Sequence, residues 1–208
     1  MSLIDYTLKE FVEETASSSP APGGGSVSAL AGSLGAGLLN MALNLTLGKE
    51  KYASVQELLA PLLSQTTALH QRLIELVDTD TAAFNSVMAA FKLPKETEEE
   101  KASRTASIQA AYRHSAEVPL QVAGLCLEVL RLVQPILENC NPGALSDAGS
   151  AVQMAYAGME GAVLNVKINI IDLKDREFAD EARQRADTML VEGAALRDRA
   201  GAYLKGVL

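Results

Sequence analysis

From Thr15 to Gly48 the chain carries no charged residue. A helix without charge on any side must be covered all round, by protein or by lipid. Val27 to Leu47 is long enough to cross a bilayer. It also holds Ser28, Ser33, Asn40, Asn44 and Thr46 with three glycines, and no second run of this kind exists. These features predict a helix buried in protein rather than in lipid. Ser28, Gly32 and Ala36 form a row of small residues four apart, as do Ala29, Ser33 and Gly37. Two such rows let another helix backbone come near. A symmetric dimer covers a helix of this kind more easily than a monomer does.

The rest of the composition narrows the choices. The 208 residues, 48% hydrophobic and 4% aromatic with no Trp, suffice for one domain over residues 1–208 with an Ala/Leu/Val core. Eighteen basic against 26 acidic residues leave a net charge of -8, which argues against nucleic-acid and anionic-membrane partners. Cys126 and Cys140 read as small buried hydrophobes in a reducing compartment. His70 and His114 stand alone on helices, which favours structural or exposed residues over the alternative of a general base. No HExxH, CxxC or GxxxxGK[ST] motif occurs, so neither a metal site nor a P-loop is expected. No basic segment followed by an apolar run opens the chain at Met1, so no signal peptide is expected and the location is read as cytoplasmic.

Elsewhere the apolar residues keep helical period between short breaks rich in Pro, Gly and Asn. Val55, Leu59, Leu62, Thr66, Leu69, Leu73, Leu76, Asp80, Phe84, Val87 and Phe91 follow steps of three and four. Glu98 to Glu138 reads as a second long helix, with a start at Glu96–Lys101 and an expected kink at Pro119. A third begins near Ser146 and Asp147. It carries an apolar stripe beside a polar one of Asn165, Asn169, Asp172 and Arg176. Asp175 to Leu208 reads as a peripheral or dimer-edge helix. No segment alternates with period two. The fold class is therefore all-α, a bundle of about five or six helices.

Two features carry chemical interest. Pro20-Ala21-Pro22-Gly23-Gly24-Gly25-Ser26 pairs stiff prolines with glycines that admit close backbone approach. It opens the uncharged helix, whose free N–H groups favour an anion or a carbonyl oxygen. It serves either as a ligand cradle or as a tight connection. Asp80 lies on an otherwise apolar seam, where a carboxylate is costly unless paired or hydrogen-bonded. It is either a structural polar contact or a functional group.

The Pro20–Leu30 stretch, followed by Leu45-Thr46-Leu47-Gly48-Lys49-Glu50-Lys51-Tyr52, resembles the cyclodeaminase/cyclohydrolase family of folate enzymes. Leu93-Pro94-Lys95-Glu96-Thr97, Val118-Pro119-Leu120, Ser146-Asp147-Ala148-Gly149 and Asn165-Val166-Lys167-Ile168-Asn169 follow in the family's order. The resemblance covers nearly the whole chain. It implies an all-α homodimer acting on one-carbon derivatives of tetrahydrofolate, with no cofactor beyond the folate substrate and no metal. One branch is formiminotetrahydrofolate cyclodeaminase and the other is methenyltetrahydrofolate cyclohydrolase. The length favours a stand-alone enzyme, and the cyclohydrolase is the leading expectation.

Both reactions need a base, an acid and a negative group near a cationic one-carbon bridge. On this reading Asp147 is the first carboxylate candidate, with helix capping as its alternative. Asp80 is the second, as pterin anchor or acid/base. Lys49 and Tyr52 would position water or bind the glutamate tail. Asn165 and Asn169 would bond the pterin amide edge, or else hold helices together. Gly23, Gly24, Gly25 and Ser26 would hold a carbonyl or carboxylate, and Arg104 the glutamate tail. A non-catalytic helical dimer or folate-binding scaffold is the competing class. In a scaffold, Asp80, Asp147, Asn165 and Asn169 would not meet beside the glycine loop.

Overall fold

A computed structural model describes residues 2–208 and contains six α-helices, with no strand among the described residues. They are α1 (Leu8–Thr15), α2 (Gly24–Asn44), α3 (Gln56–Phe91), α4 (Glu98–Asn139), α5 (Leu145–Asn169) and α6 (Arg176–Val207). Short 3-10 turns lie at Leu3–Asp5, Glu50–Val55 and Pro142–Ala144. The expected all-α bundle is what forms. α1 is the helix that the periodicity did not reveal.

The helix starts follow local chemistry. Thr7 with Glu10, and Thr97 with Glu100, make reciprocal capping boxes at α1 and α4. Asp175 caps α6 by accepting from the Phe178 N–H. α2 differs, because its N-cap is Gly23, which has no side chain to offer. α4 runs as one continuous helix through Pro119 and Pro135.

α2 is the hub of the bundle and packs against α3, α4 and α5. Small residues on its α5 and α3 faces explain how. A Cβ on Gly35 would come within 3.0 Å of the Ala151 carbonyl and the Ala155 nitrogen of α5. A Cβ on Gly158 would meet the Ser28 carbonyl at 2.7 Å, so the two backbones nearly touch. On the α3 face the Ser33 hydroxyl lies 3.0 Å from His70 Nδ1. α2 and α4 are both long and apolar enough to cross a membrane, yet 56% and 61% of their apolar windows are buried inside the bundle. Cys126 is buried against the same seam, and burial pushes its thiol up to about 12. It is an inert packing residue.

Gly24 lies beside Asn165, while Gly35 lies beside Ala151 and Ala155, so α2 and α5 run antiparallel. The glycine loop therefore shares one end of the bundle with the C-terminus of α5. The other end gathers the C-terminus of α2 and the N-terminus of α5. One side of this pair stays open. There Val27, Leu34 (49% exposed) and Met41 of α2 lie beside Leu164 (67%) and Ile168 of α5, all exposed.

Candidate functional site

A hollow of about 260 Å³ lies between the glycine loop, α3, α4 and the end of α5. The loop supplies Pro20, Ala21, Gly23, Gly24 and Gly25, and α3 supplies Asp80, Thr81 and Phe84. Tyr112 and Ser115 come from α4, and Asn165 and Asn169 from α5. Four helices meet here because α2 starts without a cap of its own and another element must complete its first turn.

Asp80 is that element. Its carboxylate accepts from the Ser26 hydroxyl at 3.0 Å and takes a further hydrogen bond from the Ser26 backbone. The Ser26 hydroxyl also lies 2.9 Å from the Val77 carbonyl and 3.2 Å from the Thr81 hydroxyl. Both contacts to Ser26 favour the charged carboxylate. Burial opposes them and wins, so the Asp80 carboxyl is held above the usual aspartate range. None of the described residues lining the hollow is Lys, Arg or His. The charge thus has helix-start donors on one side and an unneutralised cavity on the other. This is how the costly seam carboxylate is accommodated: it caps α2 and also faces the hollow.

The two asparagines are also fixed. Asn165 donates Nδ2 to the Gly161 carbonyl at 2.8 Å. Asn169 donates Nδ2 to the Ser115 carbonyl at 2.6 Å. Each leaves its Oδ1 as a free acceptor. Pro119 explains the second bond. It stands four residues after Ser115 and has no N–H, so the Ser115 carbonyl loses its helical donor. Asn169 supplies the missing one. With Asp80 at a third wall, the hollow presents acceptors to its contents and suits a donor-rich, cationic guest.

The remaining sequence candidates lie elsewhere. Asp147 sits in the first turn of α5. It is eighteen residues from Asn165, about 27 Å along the helix, and so at the opposite end of the bundle. Within one protomer Asp80, and not Asp147, faces the hollow. Lys49 and Tyr52 also lie at the far end. Lys49 is exposed, and Tyr52 donates its hydroxyl to Asn141 Oδ1 at 3.0 Å, tying α2's exit to the start of α5. Arg104 does not line the hollow. It donates to the Phe91 carbonyl at 3.1 and 3.3 Å, capping α3, and its guanidinium lies over the Phe91 ring. Phe91 meets Tyr112 edge-on at 6.1 Å, so Arg104 backs the aromatic wall from behind. His70 and His114 are also outside the hollow.

Thr81, Phe84, Tyr112 and Ser115 were not anticipated as site residues. Phe84 and Tyr112 sit on apolar stripes that read as core. Ser115 carried a usable signal, because the residue four before a mid-helix proline needs a substitute donor.

The sequence matches the formiminotransferase-cyclodeaminase family over residues 7–188. The chain belongs to this family. Among its members, it is 42% identical to a methenyltetrahydrofolate cyclohydrolase of Methylorubrum extorquens, over 93% of each chain. It is 36% identical to the formimidoyltransferase-cyclodeaminase of Rattus norvegicus over 92% of this chain, which spans 35% of the rat protein. The crystal structure of formiminotetrahydrofolate cyclodeaminase from Thermotoga maritima shares the fold with a TM-score of 0.86, covering 98% of both chains at 25% identity.

Proposed function

We propose that this chain is a methenyltetrahydrofolate cyclohydrolase, adding water to 5,10-methenyltetrahydrofolate to give 10-formyltetrahydrofolate. The observation that carries this reading is the Asp80 carboxylate, which faces a hollow with no basic lining residue among those described. Such a group calls for a cationic ligand, and the methenyl bridge is an amidinium cation. Extensive similarity to the Methylorubrum cyclohydrolase supports the same choice. The scaffold reading loses ground because Asp80, Asn165 and Asn169 meet beside the glycine loop.

The chemistry follows from the electrostatics. Bound beside the cation, Asp80 is ionised despite its burial. It accepts a proton from water as the oxygen bonds to the bridge carbon. The carbon becomes neutral and tetrahedral, so the cation that stabilised the carboxylate disappears. Asp80 then holds its proton firmly and delivers it to N5 as the carbon–N5 bond breaks. The hydroxyl proton leaves as the formyl C=O forms, so one proton is released overall. Asn165 and Asn169 hold the pterin.

The second reading, formiminotetrahydrofolate cyclodeaminase, is favoured by the Thermotoga and rat relatives. It would use the same carboxylate on a cationic amidine, releasing ammonia. Absorbance separates the two. A cyclohydrolase removes the near-ultraviolet band of methenyltetrahydrofolate. A cyclodeaminase builds that band from the formimino compound with stoichiometric ammonia. If the protein does neither, the catalytic reading fails.

The same proposal makes the enzyme soluble, cytoplasmic and homodimeric. The open α2/α5 face supports a second copy of this chain as its occupant. Val27 and Met41 stand seven residues either side of Leu34, the midpoint of α2. A two-fold axis at Leu34 pairs Val27 with Met41 across it, apolar on apolar. It also lays the far end, with Lys49 and Asp147, beside the opposite copy's glycine loop. Lys49 would then meet a hollow whose only charged lining residue, among those described, is Asp80. In this dimer the two groups of candidate residues form one site from two protomers.

A further inference from the structure

We propose that Ser115 is a substrate-binding residue whose hydroxyl, together with the Asn169 carboxamide oxygen, reads the lactam edge of the pterin ring. This rests on the folate reading of the hollow. Ser115 lines that hollow, yet is only 7% exposed, and its Oγ has no hydrogen-bond partner. Other helical hydroxyls in this bundle turn back to the carbonyl four residues earlier, as Ser28 does to Gly24, Thr66 to Leu62 and Thr105 to Lys101, or bond across to a neighbouring helix, as Ser26 and Ser33 do. Ser115 does neither. A buried hydroxyl without a partner is costly and calls for a ligand to complete it.

The identity of that ligand edge follows from the neighbour. Asn169 Nδ2 is committed to the Ser115 carbonyl, so the carboxamide cannot turn over without setting oxygen against oxygen. Its Oδ1 is a fixed acceptor. Beside it stands a hydroxyl with a proton to give. A fixed acceptor next to a donor matches an N–H next to a C=O. The pterin N3–H and C4 carbonyl form such a pair. A 2,4-diamino pteridine held the same way would set its N3 lone pair against Oδ1, and it satisfies the pair only by turning its ring over.

The test is calorimetric binding of tetrahydrofolate and of its 2,4-diamino analogue to the wild-type protein and to Ser115→Ala. Ser115→Ala should weaken tetrahydrofolate binding about tenfold and raise KM with kcat little changed. Its melting temperature should hold or rise, since a buried unpartnered group is removed. Ser115→Cys, which keeps the volume, is measured in parallel and should show the same loss, so poor folding of the alanine variant does not decide the matter. Unchanged tetrahydrofolate affinity in both variants overturns the inference. If the wild type binds neither pteridine, the folate reading itself fails and this inference falls with it.

Discussion

Gly25 and Asp80 occupy each other's space: a Cβ at Gly25 would fall inside the Asp80 carboxylate. The glycine is there so that a carboxylate from α3 can close over the start of α2. Gly25→Ala must push Asp80 off Ser26, and a displacement of that size at a reacting group costs about 10²-fold in rate. Gly23 is the control in the same loop. A Cβ there meets only the Pro20 carbonyl, at 3.8 Å, and its backbone is extended. Gly23→Ala should therefore keep kcat/KM within about threefold of wild type. Steady-state turnover of methenyltetrahydrofolate distinguishes the two. Equal effects from both would mean that the loop, not the Gly25–Asp80 fit, governs activity.

Asp80→Asn should separate stability from activity. Burial raises the Asp80 pKa in the folded chain. Between the ordinary aspartate value and that raised value, the folded chain holds a proton that the unfolded chain has lost. The group's contribution is thus fully present below the ordinary value and is lost as pH rises through the window. Asparagine has no such loss. The variant should gain on the wild type as pH rises above the ordinary aspartate range, by about 2–4 °C in Tm per kcal/mol. Its kcat should fall by about 10²–10⁴-fold, the usual worth of a general acid–base group. Thermal melts across pH with parallel turnover check both halves. A variant that melts with wild-type pH dependence would show that Asp80 is not a strained carboxylate.

Much of this arrangement was legible from sequence, and the misses have physical causes. Period and capping gave α3 to α6, because long helices repeat their apolar spacing many times. α1 has eight residues, too few for a period to stand out. The carboxylate on a seam marked Asp80 as unusual, but its neighbours depend on which helices meet, and local pattern does not encode that. Asp147 stood out because a helix start favours acids, but which end of the bundle that helix start occupies is not encoded locally. Asn165 and Asn169 were readable as one face, while the signal at Ser115, four residues before Pro119, says that its carbonyl needs a donor but not that Asn169 supplies it.

Pro119→Ala tests the link from backbone to site. Alanine restores an N–H aimed at the Ser115 carbonyl and competes with Asn169 for it. Relief of the interior proline is stabilising, and loss of the buried ring is destabilising, so stability should change by no more than about 1 kcal/mol. The pterin contact should loosen, raising KM about three- to tenfold while kcat holds. Asn169→Ala removes both the bond and the acceptor, and should raise KM further than Pro119→Ala does. A proline variant with unaltered KM would show that Asn169 is oriented by something else.

The proposed two-protomer site makes the sharpest prediction. Leu34→Arg places a charge at the midpoint of the open α2 face and should turn a dimer into a monomer, read by sedimentation, with activity falling in step. Asp80→Asn and Lys49→Ala should each be nearly inactive alone. In a heterodimer of the two variants, one hollow joins both defects and the other joins an intact Asp80 to an intact Lys49. Random mixing after unfolding and refolding makes about half of the molecules heterodimers, each with one of two sites restored. About a quarter of wild-type activity should return. A site built within one protomer cannot be rescued in this way, so a mixture as inactive as its parents would return Lys49 to a surface role. A fully active Lys49→Ala would do the same without mixing.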